Sequence, residues 1–66
     1  MLKADGFDEA ILGECMQSQR LIYDYEKMIQ ILMKDMSEES AMEYFDFNIL
    51  GAYVGEFTPI YLNKEI

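Results

Sequence analysis

Between Asp24 and Met36 the chain alternates apolar and polar residues with a helical period. Tyr25, Met28, Ile29, Leu32 and Met33 recur at i, i+3, i+4, i+7 and i+8, and Met36 continues the row. Glu26, Lys27, Gln30 and Lys34 fall on the opposite side. The spacing predicts an amphipathic helix over Asp24 to Asp35, opened by Asp24, whose carboxylate suits the free amides of a first turn. Ile31 is apolar yet falls off this stripe. Asp35-Met36-Ser37 then breaks the period, and Ser37 is placed to cap a second helix with Glu38 and Glu39 in its first turn, where negative charge is favoured. Ala41, Tyr44, Phe45, Asn48 and Ile49 share one face of that helix, and Gly51 stands where a left-handed closing residue is common. A connection this short predicts an antiparallel helical hairpin. Asn48, lying inside the apolar row, is expected to be a buried amide paired with backbone around Gly51 to Gly55.

The flanking segments read differently. Asp5-Gly6 forms a turn signal, and Ala10 to Met16 is a short apolar run interrupted by Gly13. Two readings stand for it. Gly13 and the later Leu21-Ile22-Tyr23 favour two strands joined across Gln17-Ser18-Gln19, whereas Asp8 as a cap favours a helix from Asp8 to Gln19. Past Gly51, the residues Ala52 to Leu62 carry glycine and proline among aromatic and β-branched side chains, so Ile60-Tyr61-Leu62 reads as an edge strand or a strap over the core behind Pro59. The fold class expected is α+β: a short N-terminal β-hairpin, two antiparallel helices and a C-terminal extended strap, in one small domain spanning residues 1–66.

Composition changes this picture in two ways. A chain of 66 residues buries only about 60% of its unfolded surface, so marginal stability and a homo-oligomer are expected. Thirteen acidic against five basic residues give a net charge of −8 with no histidine, which turns direct nucleic acid and anionic membranes into unfavourable ligands and a basic protein surface into a favourable one. The hydrophobic share of 52% is that of a folding chain rather than a disordered one. Cys15 is the only cysteine, so no intramolecular disulfide forms and a reducing cytoplasm fits. The N-terminus has no apolar signal core, and the run from Ile49 to Gly55 is too short to span a bilayer.

Three stretches carry a resemblance. Tyr23-Asp24-Tyr25-Glu26-Lys27, Glu43-Tyr44-Phe45-Asp46-Phe47-Asn48, and Gly51-Ala52-Tyr53-Val54-Gly55-Glu56 followed by Thr58-Pro59 look like a family of short accessory proteins encoded by tailed bacteriophages. Asp5-Gly6-Phe7-Asp8 with Ala10-Ile11-Leu12-Gly13 is similar too. Members usually carry an Asp-Gly turn between the helices, where this chain has Asp35-Met36-Ser37. The resemblance implies a phage protein made in the host cytoplasm and brings no activity with it.

The residue inventory argues against catalysis and against a cofactor. Without histidine, Ser-His, Cys-His and imidazole-metal sites are all absent. Cys15 is expected to be an ordinary core or interface thiol, its sequence neighbours Glu14 and Met16 raising its pKa. Asp5, Asp8 and Glu9 lack the spacing of a calcium loop and read as capping, solvated carboxylates. Gly51 and Gly55 lack the lysine and hydroxyl residue of a phosphate loop.

Two features invite a functional reading. Glu39, Glu43 and Asp46 recur at i, i+4 and i+7 opposite the apolar row, and charges roughly 5–6 Å apart along a helix approach the pitch of a nucleic-acid strand. Such a stripe either imitates phosphates to a basic host protein or simply solvates the helix. Phe47 and Ile31 are apolar and point away from their helices' core stripes, which suits a contact with another copy or with a partner. The expected role is therefore to bind a host protein through Glu39, Glu43, Asp46, Phe47 and Ile31 and to block or redirect it. The alternatives are a homo-oligomeric phage component and, third, a small-molecule pocket built from Tyr23, Tyr44, Tyr53 and Tyr61.

Overall fold

A computed structural model describes residues 4, 6–52 and 55–64. The fold is α+β, a three-stranded mixed sheet with two helices between its second and third strands. A 3-10 turn at Asp8–Ala10 leads into β1 (Ile11–Glu14), so of the helical alternative for residues 8–19 only this first turn forms. Residue Gly6 adopts φ +87°, a left-handed conformation that an unbranched backbone enters freely. Strand β2 (Leu21–Asp24) pairs antiparallel with β1, Ile11 facing Tyr23 and Glu14 facing Leu21, and the register slips between Ile11 and Gly13. Leu12, at that slip, is exposed.

Strand β2 runs straight into helix α1 (Tyr25–Leu32) with no linker. Asp24 makes this junction: its backbone is extended, and its Oδ1 accepts the Glu26 amide at 3.1 Å as the N-cap. Burial of Met28 and Ile29, with Tyr25, Leu32 and Met36 packed alongside, follows the apolar stripe read from the sequence. Helix α1 closes at Leu32, a turn short of Asp35, through tighter i→i+3 bonds from Lys34 to Ile31 and from Asp35 to Leu32. Ile31 differs from expectation. It is half-buried and packs against the core, so the covered surface of α1 is wider than one stripe.

Helix α2 (Glu38–Tyr44) starts at Ser37, whose Oγ accepts the Ser40 amide at 3.2 Å. It then widens into a π-helical turn, Phe45–Leu50. An i→i+5 turn holds more residues than the 3.6 of an α-helix, so the row read at α-helical spacing loses phase there. Ala41 and Phe45 are buried and Ile49 is half-buried, but Tyr44 and Asn48 are exposed. Asn48 is thus no buried clamp; of its expected backbone partners, residues 53 and 54 lie outside the described residues. Gly51 is corrected as well. It is right-handed (φ −77°, ψ −9°), and what favours glycine is space: a Cβ there would sit 3.3 Å from the Asp46 carbonyl oxygen and 3.4 Å from that of Phe47, a tight fit that the backbone would have to ease by a few tenths of an ångström.

Strand β3 (Ile60–Leu62) lies at the sheet edge, parallel to β2, with Tyr61 beside Tyr23. Pro59 precedes it, outside the ladder. The core joins Ala10, Tyr23, Met28, Ile29, Ala41 and Phe45. Phe45 is its keystone: the ring meets Tyr25 edge-on at 4.8 Å and Tyr61 edge-on at 5.2 Å, tying the π turn to α1 and β3 together.

Candidate protein-binding face

The outward surface of α2 and the π turn carries the residues that the sequence singled out. Glu39 and Glu43 are exposed one helical turn apart, and Phe47, a further four residues on, is 81% exposed. Asp46 is exposed too, but it lines a separate cavity of about 260 Å3 with Tyr25, Phe45, Leu50, Tyr61 and Asn63. The structure therefore groups Glu39, Glu43 and Phe47 on the outer surface, sets Asp46 on the flank beside Tyr25, and withdraws Ile31 toward the core. Of the four tyrosines considered as a pocket, Tyr23 is buried and stands 6.1 Å from Tyr61, Tyr44 is exposed elsewhere, and Tyr53 is outside the described residues. Tyr23 is already engaged, its hydroxyl accepting the Ala4 amide at 2.7 Å. Burial, with Tyr23 beside it, pushes the Tyr61 phenol above its usual pKa.

A second cavity, of about 380 Å3, opens between the helices and was not anticipated from the sequence. From α1 and its C-cap it is lined by Tyr25, Glu26, Ile29, Gln30 and Met33, and from α2 by Glu38 and Met42. Tyr25 is a wall of both cavities. The signal in the sequence is the row Glu38, Met42, Asp46, Leu50 at four-residue intervals, alternately acidic and apolar.

Cys15 also departs from expectation. Its thiol is held below the usual thiol range, foremost by the Ser18 hydroxyl, then by the Ser18 and Gln17 amides; burial opposes them in part, and the positive charge of Arg20 adds the smallest contribution. The turn creates this setting: Cys15 and Arg20 are joined by an amide-to-carbonyl bond of 2.7 Å, the Gln19 amide donates to the Cys15 carbonyl at 2.8 Å, and Gln19 takes a left-handed φ of +59°. The Ser18 oxygen is buried and reaches no partner within hydrogen-bonding geometry, so its effect on the sulfur is electrostatic and weaker than a formed bond. Sequence neighbours Glu14 and Met16 do not decide this pKa; Ser18 and Gln17, three and two positions on, do.

At the far side Asp24 pairs with Lys64 at 3.1 Å. Partial burial pushes the Asp24 carboxyl up, but the Lys64 ammonium and the Lys27 and Glu26 amides outweigh it and hold the group below the usual carboxylate range. Among the described residues no cluster of three or more metal-binding side chains occurs, and no helix is long and apolar enough to cross a membrane. The fold and this surface define a small acidic α+β domain whose exposed chemistry is carboxylate, aromatic and thioether. Comparison with family models, with curated proteins and with solved structures finds no match in any of the three.

Proposed function

We propose that the chain is an accessory protein of a tailed bacteriophage that binds a host protein through its acidic helical face and blocks or redirects it in the host cytoplasm. The partner's surface is basic, of the kind that binds nucleic acid, and the carboxylates of Glu39, Glu43 and Asp46 stand in for phosphates. In this reading the first two strands form one hairpin, the helices pack antiparallel, and the C-terminal segment straps the core. One observation supports it most: exposed carboxylates and an exposed Phe47 lie together on one helical segment of a chain with net charge −8. Charge of that sign and density draws a cationic surface in, and a protruding aromatic ring supplies an anchor once contact is made.

The test is the triple variant Glu39→Gln, Glu43→Gln, Asp46→Asn, compared with the wild type as bait in a bacterial lysate and then in binding kinetics with the captured protein. Each exposed pair contributes about 0.2–1 kcal/mol, so affinity falls very roughly tenfold, mainly through slower association, and its salt dependence becomes shallower. Unchanged affinity and salt slope would reduce the face to a solvated surface. A second reading, a homo-oligomeric phage component, draws on the exposure of Phe47 and of Leu50 (57%). A concentration-dependent dimer mass by light scattering, lost in Phe47→Ser, would favour it.

A further inference from the structure

We infer that the flank of α2 facing α1 is a docking trough for a cationic amphipathic helix of a partner protein, about three turns long. The trough is made of two cavities that share Tyr25 as a wall, one between the helices, where Met33 and Met42 supply exposed apolar surface, and one lined by Asp46 and Leu50. Met33, the C-cap of α1, is 41% exposed and Met42, within α2, is 44% exposed, and both line this opening. Unbranched thioethers adapt to whatever side chain enters, which suits a groove that accepts another protein's apolar row.

Charge selects the occupant. The row Glu38, Met42, Asp46, Leu50 alternates acid and apolar at four-residue steps, and Glu26 adds a carboxylate on the α1 side. A ligand helix with its own apolar row flanked by lysine or arginine answers both features at once. From Glu38 to Leu50 the row runs for about three helical turns, which sets the length of the ligand helix at about twelve residues. A second copy of this chain is a poor occupant, since each copy carries a net charge of −8. Anionic lipid and nucleic acid are repelled for the same reason. The inference shares with the proposed function the idea of a basic protein partner, but it uses a different surface except for Asp46, and it is tested without any captured protein.

The probe is a synthetic helix-forming Leu/Lys peptide of about twelve residues with one tryptophan in its apolar row. The chain has no tryptophan, so the peptide's emission reports binding alone. Titrating full-length protein should give a blue shift and saturation, and a scrambled peptide of the same composition should bind at least tenfold more weakly. Met33→Ser with Met42→Ser should weaken binding roughly tenfold, as expected for losing half-exposed apolar contacts. Glu38→Gln, which leaves the groove's shape intact, should weaken it roughly twofold to fivefold and flatten its salt dependence. Phe47→Ser should leave peptide affinity unchanged, which separates failure here from failure of the outer-face reading. Equal affinity for the scrambled peptide, or unaltered affinity in both groove variants with circular dichroism confirming that they fold, overturns the inference. So does a wild-type dimer that the Met33→Ser, Met42→Ser protein no longer forms, since the occupant would then be a second copy.

Discussion

Replacing Phe45 by alanine should unfold this protein, whereas the same replacement at Phe47, two positions along, should leave it nearly untouched. Phe45 is 2% exposed and makes edge-on ring contacts at 4.8 Å and 5.2 Å with Tyr25 and Tyr61. Truncating a buried phenylalanine costs about 3–5 kcal/mol, and each oriented aromatic pair contributes about 0.5–1.5 kcal/mol beyond its burial. A chain of 66 residues has a total stability of only about 3–10 kcal/mol at the usual range per residue. Phe45→Ala therefore removes most or all of it. Phe45→Leu keeps much of the volume and loses the ring geometry, so it should cost about 1–2 kcal/mol and remain folded. Urea titration followed by far-ultraviolet circular dichroism reads this directly: with a slope near 1 kcal/mol per molar, Phe45→Leu moves the midpoint down by about 1–2 M. Phe47→Ala, truncating a ring that is 81% exposed, should stay within about 0.5 kcal/mol of wild type. Equal midpoints for Phe45→Ala and Phe47→Ala would refute the assignment of Phe45 as keystone and the placement of the π turn that points it inward.

Two further outcomes follow from the perturbed groups. Cys15 should react with iodoacetamide faster than a free cysteine near neutral pH, its rate reaching half-maximum at a lower pH, and Ser18→Ala should shift that midpoint upward; a midpoint at or above that of a free thiol removes the argument from the turn. Asp24 has a folded-state pKa below its unfolded value of about 3.9, so its contribution is fully present above that pH and disappears as pH falls through the lower folded value. Asp24→Ala should thus lose about 1 kcal/mol of stability at pH 7 through the lost cap, Asp24→Asn less, and both should approach wild type in acid; a gap that stays constant down to the acid limit would contradict the linkage.

What the sequence made legible is local. Helix α1 was readable because its period and its cap at Asp24 lie within one stretch, and the same holds for Ser37 and the start of α2. The position of Pro59 ahead of an edge strand was readable because a missing amide restricts where proline can stand. The errors at Asn48 and Gly51 share one cause, a fixed 3.6-residue period carried past Tyr44. Once the backbone widens at Phe45, Asn48 leaves the core row and Gly51 serves a close carbonyl approach instead of a left-handed cap. Nothing in the residue types announces a π turn. Ile31 and Cys15 fail for another reason: their surroundings come from elements distant in sequence or folded back by a turn, which adjacency does not reveal. The candidate face was legible as a set of carboxylates, and the groove beside it was not, because a cavity is a relation between two helices.

The parallel pairing of β3 with β2 has a consequence for how the molecule is completed. Antiparallel strands β1 and β2 are neighbours in the chain, but β3 reaches β2 only after both helices and the π turn have been traversed. A ribosome delivers these elements in that order. Until residues 60–62 emerge, one edge of β2 has open amides and carbonyls, and Phe45 has Tyr25 on one side but no Tyr61 on the other. The nascent domain thus passes through a stage in which its central strand is a template for any extended segment nearby, and its own last strand is the segment that ends that exposure.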